Sequence, residues 1–231
     1  MMKTIGLIGG MSWESSLEYY RLINEETKRR LGGLHSAKCV LVSVDFAEIE
    51  RYQAEGDWEA AGKALAEAAI SLERAGADSV TLCTNTMHKV ADAITSAVSI
   101  PLIHIADVTG AKIRADGNLT VGLLGTRYTM EQAFLKQRLE DKFGLKVIIP
   151  DEQNRQIVHQ VIYDELCLGQ ILPASRAEYQ RIIRELKSAG AKAVILGCTE
   201  IELLIKQEDS DLPVYPTTTL HAMGAVDFAL T

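Results

Sequence analysis

The sequence predicts an α/β fold with two pseudo-symmetric lobes, each an open parallel sheet covered by helices. Three observations lead to this prediction. Short apolar, β-branched runs alternate with segments of helical periodicity, which is the pattern of a parallel sheet with covering helices. Two segments about 115 residues apart repeat each other, residues 75–86 and residues 189–200. Both copies contain the same dipeptide after their apolar run, which is Cys83-Thr84 in the first and Cys198-Thr199 in the second.

The strands are predicted at the apolar runs of each half. They are residues 4–8, 39–44, 79–82 and 102–105 in the first half, and 119–124, 146–149, 193–196 and 213–215 in the second. Residues 58–72 carry an apolar stripe at three- and four-residue steps, which predicts a helix. Thr129 and Gln132 have the spacing of a capping box that begins a helix, and Gly144 and Gly169 are predicted helix stops.

The repeat also predicts how the chain is divided. We expect a first lobe over residues 1–107 and a second over residues 108–216, with a final helix over residues 217–231 that packs back on the first lobe. In open α/β sheets, ligands bind at the carboxyl ends of the strands. Both cysteines lie at such ends. Equivalent strands in two duplicated lobes therefore predict an active site in the cleft between them, with one thiol on each wall.

Composition and charge exclude several classes of protein. The 231 residues are 47% hydrophobic, which is ample for buried cores, and no apolar run reaches the length of a membrane span. The net charge of −7 and the pI near 5.3 argue against nucleic acid or an anionic membrane as a partner. The N-terminus has no signal-peptide pattern. The four cysteines show no metal-ligand spacing. We therefore expect a cytoplasmic protein with reduced thiols and no metal.

The two repeated cysteines are the candidate catalytic residues. Each follows a buried strand and precedes polar residues that open a helix, and a thiol at a helix N-terminus is favoured as thiolate. The alternative is a pair of small buried cysteines, which is a common role for a lone thiol. Equivalent positions in duplicated strands favour the catalytic interpretation for Cys83 and Cys198. Cys39 lies in an apolar run and Cys167 on a helix, so both are predicted to be structural.

Residues near the ends of other strands are candidate ligand contacts. Met11 and Ser12 follow a glycine-rich turn after the first strand, and this turn matches neither a dinucleotide fingerprint nor a P-loop. Thr126 lies in the corresponding turn of the second half. Arg51 is a candidate contact for an anionic group, with a solvated surface role as the alternative. His88 and Glu200 are placed to tune the nearby cysteines, although His88 is equally compatible with local packing. His104 and His221 show no shared spacing and receive no role.

These motifs resemble the aspartate/glutamate racemase family of cofactor-independent amino-acid racemases over the whole chain. The resemblance rests on residues 5–15, on Cys83-Thr84-Asn85-Thr86-Met87-His88 and on Leu196-Gly197-Cys198-Thr199-Glu200. It implies a small amino-acid substrate between two lobes, one cysteine on each side of Cα, and no pyridoxal phosphate or other cofactor. It also implies that Asn85, Thr86 and Thr199 hold the α-carboxylate and amino group, with Thr84 beside them. Glu200 replaces the histidine common in glutamate racemases, which indicates the aspartate or broad-specificity branch.

The sequence departs from the family pattern at two places. Residues 165–169 have the pattern Glu-Leu-x-x-Gly, after which strict aspartate racemases supply a basic residue. In this chain residues 170–173, which begin with Gln170, include no Lys or Arg. Glu202 stands where relatives have a small residue or proline. Both departures weaken the expectation of strict selectivity for an acidic side chain, but not that of racemase chemistry.

Several functions remain open at this point. The leading expectation is interconversion of L- and D-aspartate or glutamate by a two-cysteine 1,1-proton transfer. The alternatives are a broad-specificity racemase of neutral amino acids such as homoserine and methionine, and a non-catalytic amino-acid-binding protein. Related two-lobe enzymes also include decarboxylases and cis–trans isomerases, although a decarboxylase needs one cysteine rather than two. The oligomeric state is open, with a homodimer among the options.

Overall fold

The computed structural model describes residues 2–231 and divides into two compact units. The first unit contains the chain up to Ile105 together with Thr219–Thr231, and the second is Ala106–Thr218. Each unit holds a four-stranded, all-parallel sheet covered by helices. The predicted α/β fold with two parallel-sheet lobes is confirmed.

The sheet of the first unit has the strand order β2-β1-β3-β4. Its strands are β1 (Ile5–Gly9), β2 (Cys39–Ser43), β3 (Ser79–Leu82) and β4 (Leu102–Ile103). Its helices are α1 (Trp13–Leu31), α2 (Phe46–Glu55), α3 (Trp58–Arg74) and α4 (Ala91–Ala97), with a 3-10 helix at Thr86–Val90. Helix α5 (Ile105–Ala115) begins at the last residue of this unit.

The second unit repeats this order as β6-β5-β7-β8. Its strands are β5 (Thr120–Gly125), β6 (Lys146–Ile148), β7 (Ala193–Gly197) and β8 (Val214–Pro216). Its helices are α6 (Arg127–Glu131), α7 (Ala133–Phe143), α8 (Glu152–Asp164), α9 (Pro173–Ser188) and α10 (Ile201–Leu204), with 3-10 helices at Leu166–Leu168 and Gln207–Asp209. Helix α11 (Thr217–Leu230) follows β8 and completes the chain.

Apolar side chains cover both faces of the first sheet. The α3 face is packed by the stripe that the sequence predicts, including Ala61, Leu65 and Leu72. On the other face α1 and α11 contribute a second cluster, whose buried members are Ile5, Leu7, Tyr19, Ile23, Cys83, Ala222, Ala225, Val226 and Ala229. Because central parallel strands are covered on both sides, β1, β3 and β7 consist entirely of buried residues.

Some local predictions differ from the structure. Strand β4 stops at Ile103 because Ile105 already begins α5. The capping box predicted at Thr129 is wrong, since Thr129 lies inside α6 and donates its backbone N–H to the Oγ1 of Thr126, the actual cap, at 3.2 Å. Gly144 ends α7 with φ of 66°, as predicted. Gly169 ends the 3-10 helix rather than α8. Across residues 2–231, no helix is both long and apolar enough to cross a membrane.

Candidate active site

In the first unit, two neighbouring strands bring their polar turns to one edge of the sheet. Strands β1 and β3 are parallel partners with Ile8 opposite Leu82, and the Cys83 N–H donates to the Ile8 carbonyl at 2.9 Å. The turn after β1, with Met11 and Ser12, therefore leaves the sheet beside the turn that begins at Cys83. This juxtaposition is the one expected of a ligand site at strand carboxyl ends.

The second unit makes the same arrangement with different residues. Strands β5 and β7 are parallel partners with Gly125 opposite Gly197. Thr126 directly follows the first of these strands and Cys198 the second. The two cysteines thus occupy equivalent positions in sheets of identical strand order, each beside a turn that begins a helix.

The thiol of Cys83 is fully buried. It belongs to the apolar cluster formed with Tyr19 and Ala222, and its Sγ lies 3.7 Å from the Thr81 carbonyl oxygen, to which the S–H donates. Burial raises the pKa of the Cys83 thiol, because the anion would lose its solvation.

The thiol of Cys198 is also buried, but it has a charged neighbour. Its Sγ donates to Oε2 of Glu200 at 2.9 Å. Burial raises the pKa of Cys198 well above its usual value, and the negative charge of Glu200 raises it further. Burial therefore favours the protonated form of both thiols, against the helix-dipole effect that the sequence suggested.

The residues after each cysteine line the same strand ends. Asn85, Thr86 and Thr199 are buried, and Thr84 is half-buried. The Thr199 hydroxyl accepts a hydrogen bond from that of Thr218 at 3.1 Å. Amide and hydroxyl groups of this kind can hold a carboxylate or an ammonium group, which is the role that the family resemblance implies for them.

In each unit, the turn after the first strand contains the N-cap residue of the following helix. Ser12 is the N-cap of α1, and its Oγ accepts the Ser15 N–H at 3.3 Å. Thr126 is the N-cap of α6. Met11 is buried in the same apolar cluster as Met87 of the cysteine motif. Each turn therefore presents backbone N–H groups of a helix start at the site edge.

Arg51 makes no contact, among those that the structure gives, with the turns that carry Ser12 or Cys83. It is exposed on α2, with its guanidinium 4.9 Å from the Tyr52 ring. The buried face of α2 instead presents Gln53, whose Nε2 lies 3.0 Å from the Met87 sulfur. Cys39 and Cys167, predicted to be structural, are half-buried and pack against the apolar clusters of their units.

A cluster of three histidines in the first unit was not predicted from the sequence, which assigned a candidate role to His88 but none to His104 or His221. His221 is fully buried on α11, where its Nδ1 lies 2.8 Å from the Tyr19 hydroxyl and its Nε2 2.6 Å from the Ile103 carbonyl oxygen. The His88 ring lies 4.6 Å from that of His104 and 5.5 Å from that of His221. These residues are far apart in sequence, so only the fold reveals the cluster.

Comparison with known proteins identifies the family. The model of the Asp/Glu/Hydantoin racemase family matches residues 8–225. A candidate Asp/Glu racemase from Yersinia pestis of known structure is 55% identical, with both chains covered in full and a TM-score of 0.94. The structure of an aspartate racemase homologue from Pyrococcus horikoshii OT3 is 33% identical, also over 100% of both chains, with a TM-score of 0.87.

A further relative is the broad specificity amino-acid racemase RacX of Bacillus subtilis (strain 168). It is 28% identical over 164 residues, which are 71% of this chain and 70% of the relative. The family match covers nearly the whole chain and includes both cysteine motifs. The chain therefore belongs to the Asp/Glu/hydantoin racemase family and is an isomerase of the amino-acid racemase type.

Proposed function

We propose that this chain interconverts L- and D-aspartate or glutamate by a two-cysteine 1,1-proton transfer that needs no cofactor. The observation that carries the proposal is the equivalence of Cys83 and Cys198. Each directly follows the third strand of its unit, in sheets with the same strand order, and each precedes polar residues suited to bind an amino acid. A racemase needs one acid–base group for each face of Cα, and the duplication supplies two.

In one direction the reaction begins at Cys198. The S–H proton passes to the Glu200 carboxylate, 2.9 Å away, which leaves a thiolate and a carboxylic acid. The thiolate removes the Cα proton, and the electron pair of the broken C–H bond remains on Cα and its carboxylate. The Cys83 thiol then delivers its proton to the opposite face. The reaction ends with Cys83 as thiolate, Cys198 as thiol and Glu200 as carboxylic acid. The reverse reaction therefore starts at Cys83, and in it Glu200 returns its proton to Cys198.

The difficulty of this chemistry is the weak acidity of Cα–H. Each pKa unit of mismatch between that carbon acid and a thiol costs about 1.36 kcal/mol. Hydrogen-bond donors aimed at the substrate carboxylate lower the barrier, because negative charge grows there in the transition state. Asn85, Thr86 and Thr199 are the proposed donors, with Thr84, Ser12 and Thr126 at the adjoining turns. Met11 supplies an apolar contact.

The substrate assignment rests on family relationships. The relatives at 55% and 33% identity are a candidate Asp/Glu racemase and an aspartate racemase homologue. One alternative is favoured by specific observations, namely a broad-specificity racemase of neutral amino acids. No basic residue follows Gly169 directly, Arg51 is exposed on α2, and RacX is itself described as broad in specificity.

The test is a panel of L- and D-amino acids followed by chiral chromatography. Wild-type protein should racemise aspartate or glutamate after dialysis and in the presence of hydroxylamine, which removes pyridoxal phosphate. Cys83→Ser and Cys198→Ser should each lose at least about 10³-fold in rate, because either half-reaction is then missing. Cys39→Ser and Cys167→Ser are the matched controls and should keep activity. Wild-type racemisation by Cys83→Ser or Cys198→Ser would overturn the proposal, as would a requirement for added pyridoxal phosphate.

The same panel decides the role of Arg51. If Arg51 pairs with the side-chain carboxylate, Arg51→Ala should reduce turnover of acidic substrates relative to homoserine and methionine by about 10-fold or more. An unchanged ratio of acidic to neutral turnover would show that Arg51 does not select the substrate. Arg74→Ala, which alters another arginine of the first unit at the end of α3, is the control.

A further inference from the structure

In the first unit, a single side chain ties the cysteine turn to the start of the next helix. His88 lies five residues beyond Cys83, and its Nε2 accepts the backbone N–H of Ile105, the first residue of α5, at 3.2 Å. Its Nδ1 lies 2.8 Å from the carbonyl oxygen of Thr84, the residue next to Cys83. Because a backbone N–H can only donate, Nε2 carries no proton. Neutral imidazole then has its proton on Nδ1, which donates to Thr84.

In the second unit, a carboxylate occupies the corresponding place. Glu202 lies four residues beyond Cys198, and its Oε1 accepts the backbone N–H of Thr218, in the first turn of α11, at 2.7 Å. The Thr218 hydroxyl donates to that of Thr199, the residue next to Cys198, at 3.1 Å. This side chain is the departure from the family pattern that the sequence shows at Glu202.

The contacts of His88 and Glu202 satisfy the same kind of backbone group. Strands β4 and β8 are the edge neighbours of the cysteine strands β3 and β7, and each is followed by a helix whose first N–H groups lack intrahelical acceptors. In each unit the acceptor comes from the short helical segment that follows the cysteine. One side chain in each unit therefore accepts a helix N–H and also holds the cysteine turn in place. This side chain is an imidazole in the first unit and a carboxylate in the second.

We infer that His88 and Glu202 are equivalent positioning residues, each fixing the turn of its own cysteine. This inference rests on the proposed function. Neither residue supplies or receives the Cα proton; each acts through the residue that follows its cysteine. Since a misplacement of about 1 Å can cost about 100-fold in rate, loss of either contact should slow catalysis by the cysteine of that unit. It should leave the other cysteine close to its normal rate.

The experiment measures the initial rate of deuterium incorporation at Cα in D₂O, separately for the L and D enantiomers of the fastest substrate of the panel. Cys83→Ser and Cys198→Ser first assign each enantiomer to the thiol that deprotonates it. His88→Met, which removes the acceptor and the donor, should slow exchange of the Cys83 enantiomer by about 10- to 100-fold, mainly through kcat. Glu202→Met should do the same to the Cys198 enantiomer.

Conservative variants separate positioning from packing. His88→Gln and Glu202→Gln keep an oxygen that can accept the helix N–H, so each should recover most of the rate that the methionine variant loses. If a methionine variant does not fold, the glutamine variants provide the test. A smaller loss of exchange rate that is confined to one enantiomer then supports the inference. His35→Gln, which alters an exposed histidine, is the control and should leave both exchange rates unchanged.

The outcomes distinguish this inference from the proposed function. If the cysteine variants behave as proposed, but His88→Met and Glu202→Met slow both enantiomers by the same factor or slow neither, the positioning role is overturned. Full racemisation by Cys83→Ser or Cys198→Ser would overturn the proposed function and this inference together.

Discussion

The two candidate thiols have the same position but different surroundings. Cys198 donates to a carboxylate at 2.9 Å, whereas Cys83 donates to a backbone carbonyl and packs against Tyr19 and Ala222. The repeated Cys-Thr motif was enough to predict the two thiols, and its spacing placed Glu200 beside one of them. The apolar packing of Cys83 against Tyr19 and Ala222 could not be predicted, because α1 and α11 come together only in the folded chain.

His221 makes a testable contribution to the pH dependence of stability. Its burial lowers its pKa to about 4, against an ordinary value of 6.5. The unfolded chain therefore binds more protons than the folded chain between these pH values, so stability falls as the pH decreases. Between pH 7.5 and pH 5, this one group should reduce the free energy of unfolding by about 2 kcal/mol.

Urea denaturation of wild type and His221→Gln at both pH values provides the measurement. The variant should be less stable at pH 7.5, because the hydrogen bonds to Tyr19 and Ile103 are altered, but it should lose about 2 kcal/mol less on acidification. His35→Gln should keep the wild-type dependence. An identical acid-induced loss in His221→Gln would contradict the assignment of a neutral buried imidazole.

The glycine-rich turn after β1 shows how one element positions the site. Gly10 has φ of 92°, a conformation that other residues rarely adopt, and its N–H donates to the Ser16 hydroxyl at 2.8 Å. A Cβ at this position would collide with the carbonyl oxygen of Val44, just after β2. The turn therefore needs glycine for its backbone conformation and for the close approach to Val44.

Replacement of this glycine should be costly. Gly10→Ala should destabilise the protein by about 3–5 kcal/mol, since backbone strain and a steric collision with neighbouring backbone combine. Gly33→Ala is the matched control, because Gly33 also has positive φ but a Cβ there would meet nothing within 4 Å. The control should lose only about 1–2 kcal/mol. Equal losses in thermal or urea unfolding would show that close approach at Gly10 is unimportant.

The bounds of helices and strands were predictable where one local sequence feature marks them. All eight strands lie within two residues of their predicted bounds, because buried parallel strands are distinct apolar runs bounded by turns. The capping-box prediction at Thr129 failed for a physical reason. Thr126, three residues earlier, caps α6, and the chain breaks between α6 and α7 at Gln132, which has a φ of −87° and a ψ of 152°.

The duplication is the feature that organises the whole chain. The two sheets have the same strand order, and each presents a cysteine after the third strand of its unit. The repeated segments made this predictable, because sequence similarity and strand position agree. The chemical differences between the units were less predictable. His88 and Glu202, for which we infer the same role, differ in type and in spacing from the cysteine, and they are recognised only by the helix N–H groups that they accept.

The central claim is that Cys83 and Cys198 each serve one enantiomer. The most direct measurement is exchange of the Cα proton with solvent deuterium, followed by mass spectrometry, for Cys83→Ser and Cys198→Ser with L and D substrate in turn. Both variants should lose racemisation while each retains exchange of a single enantiomer, and the retained enantiomers should be opposite. Exchange of the same enantiomer by both variants, or wild-type racemisation by either, would contradict the claim.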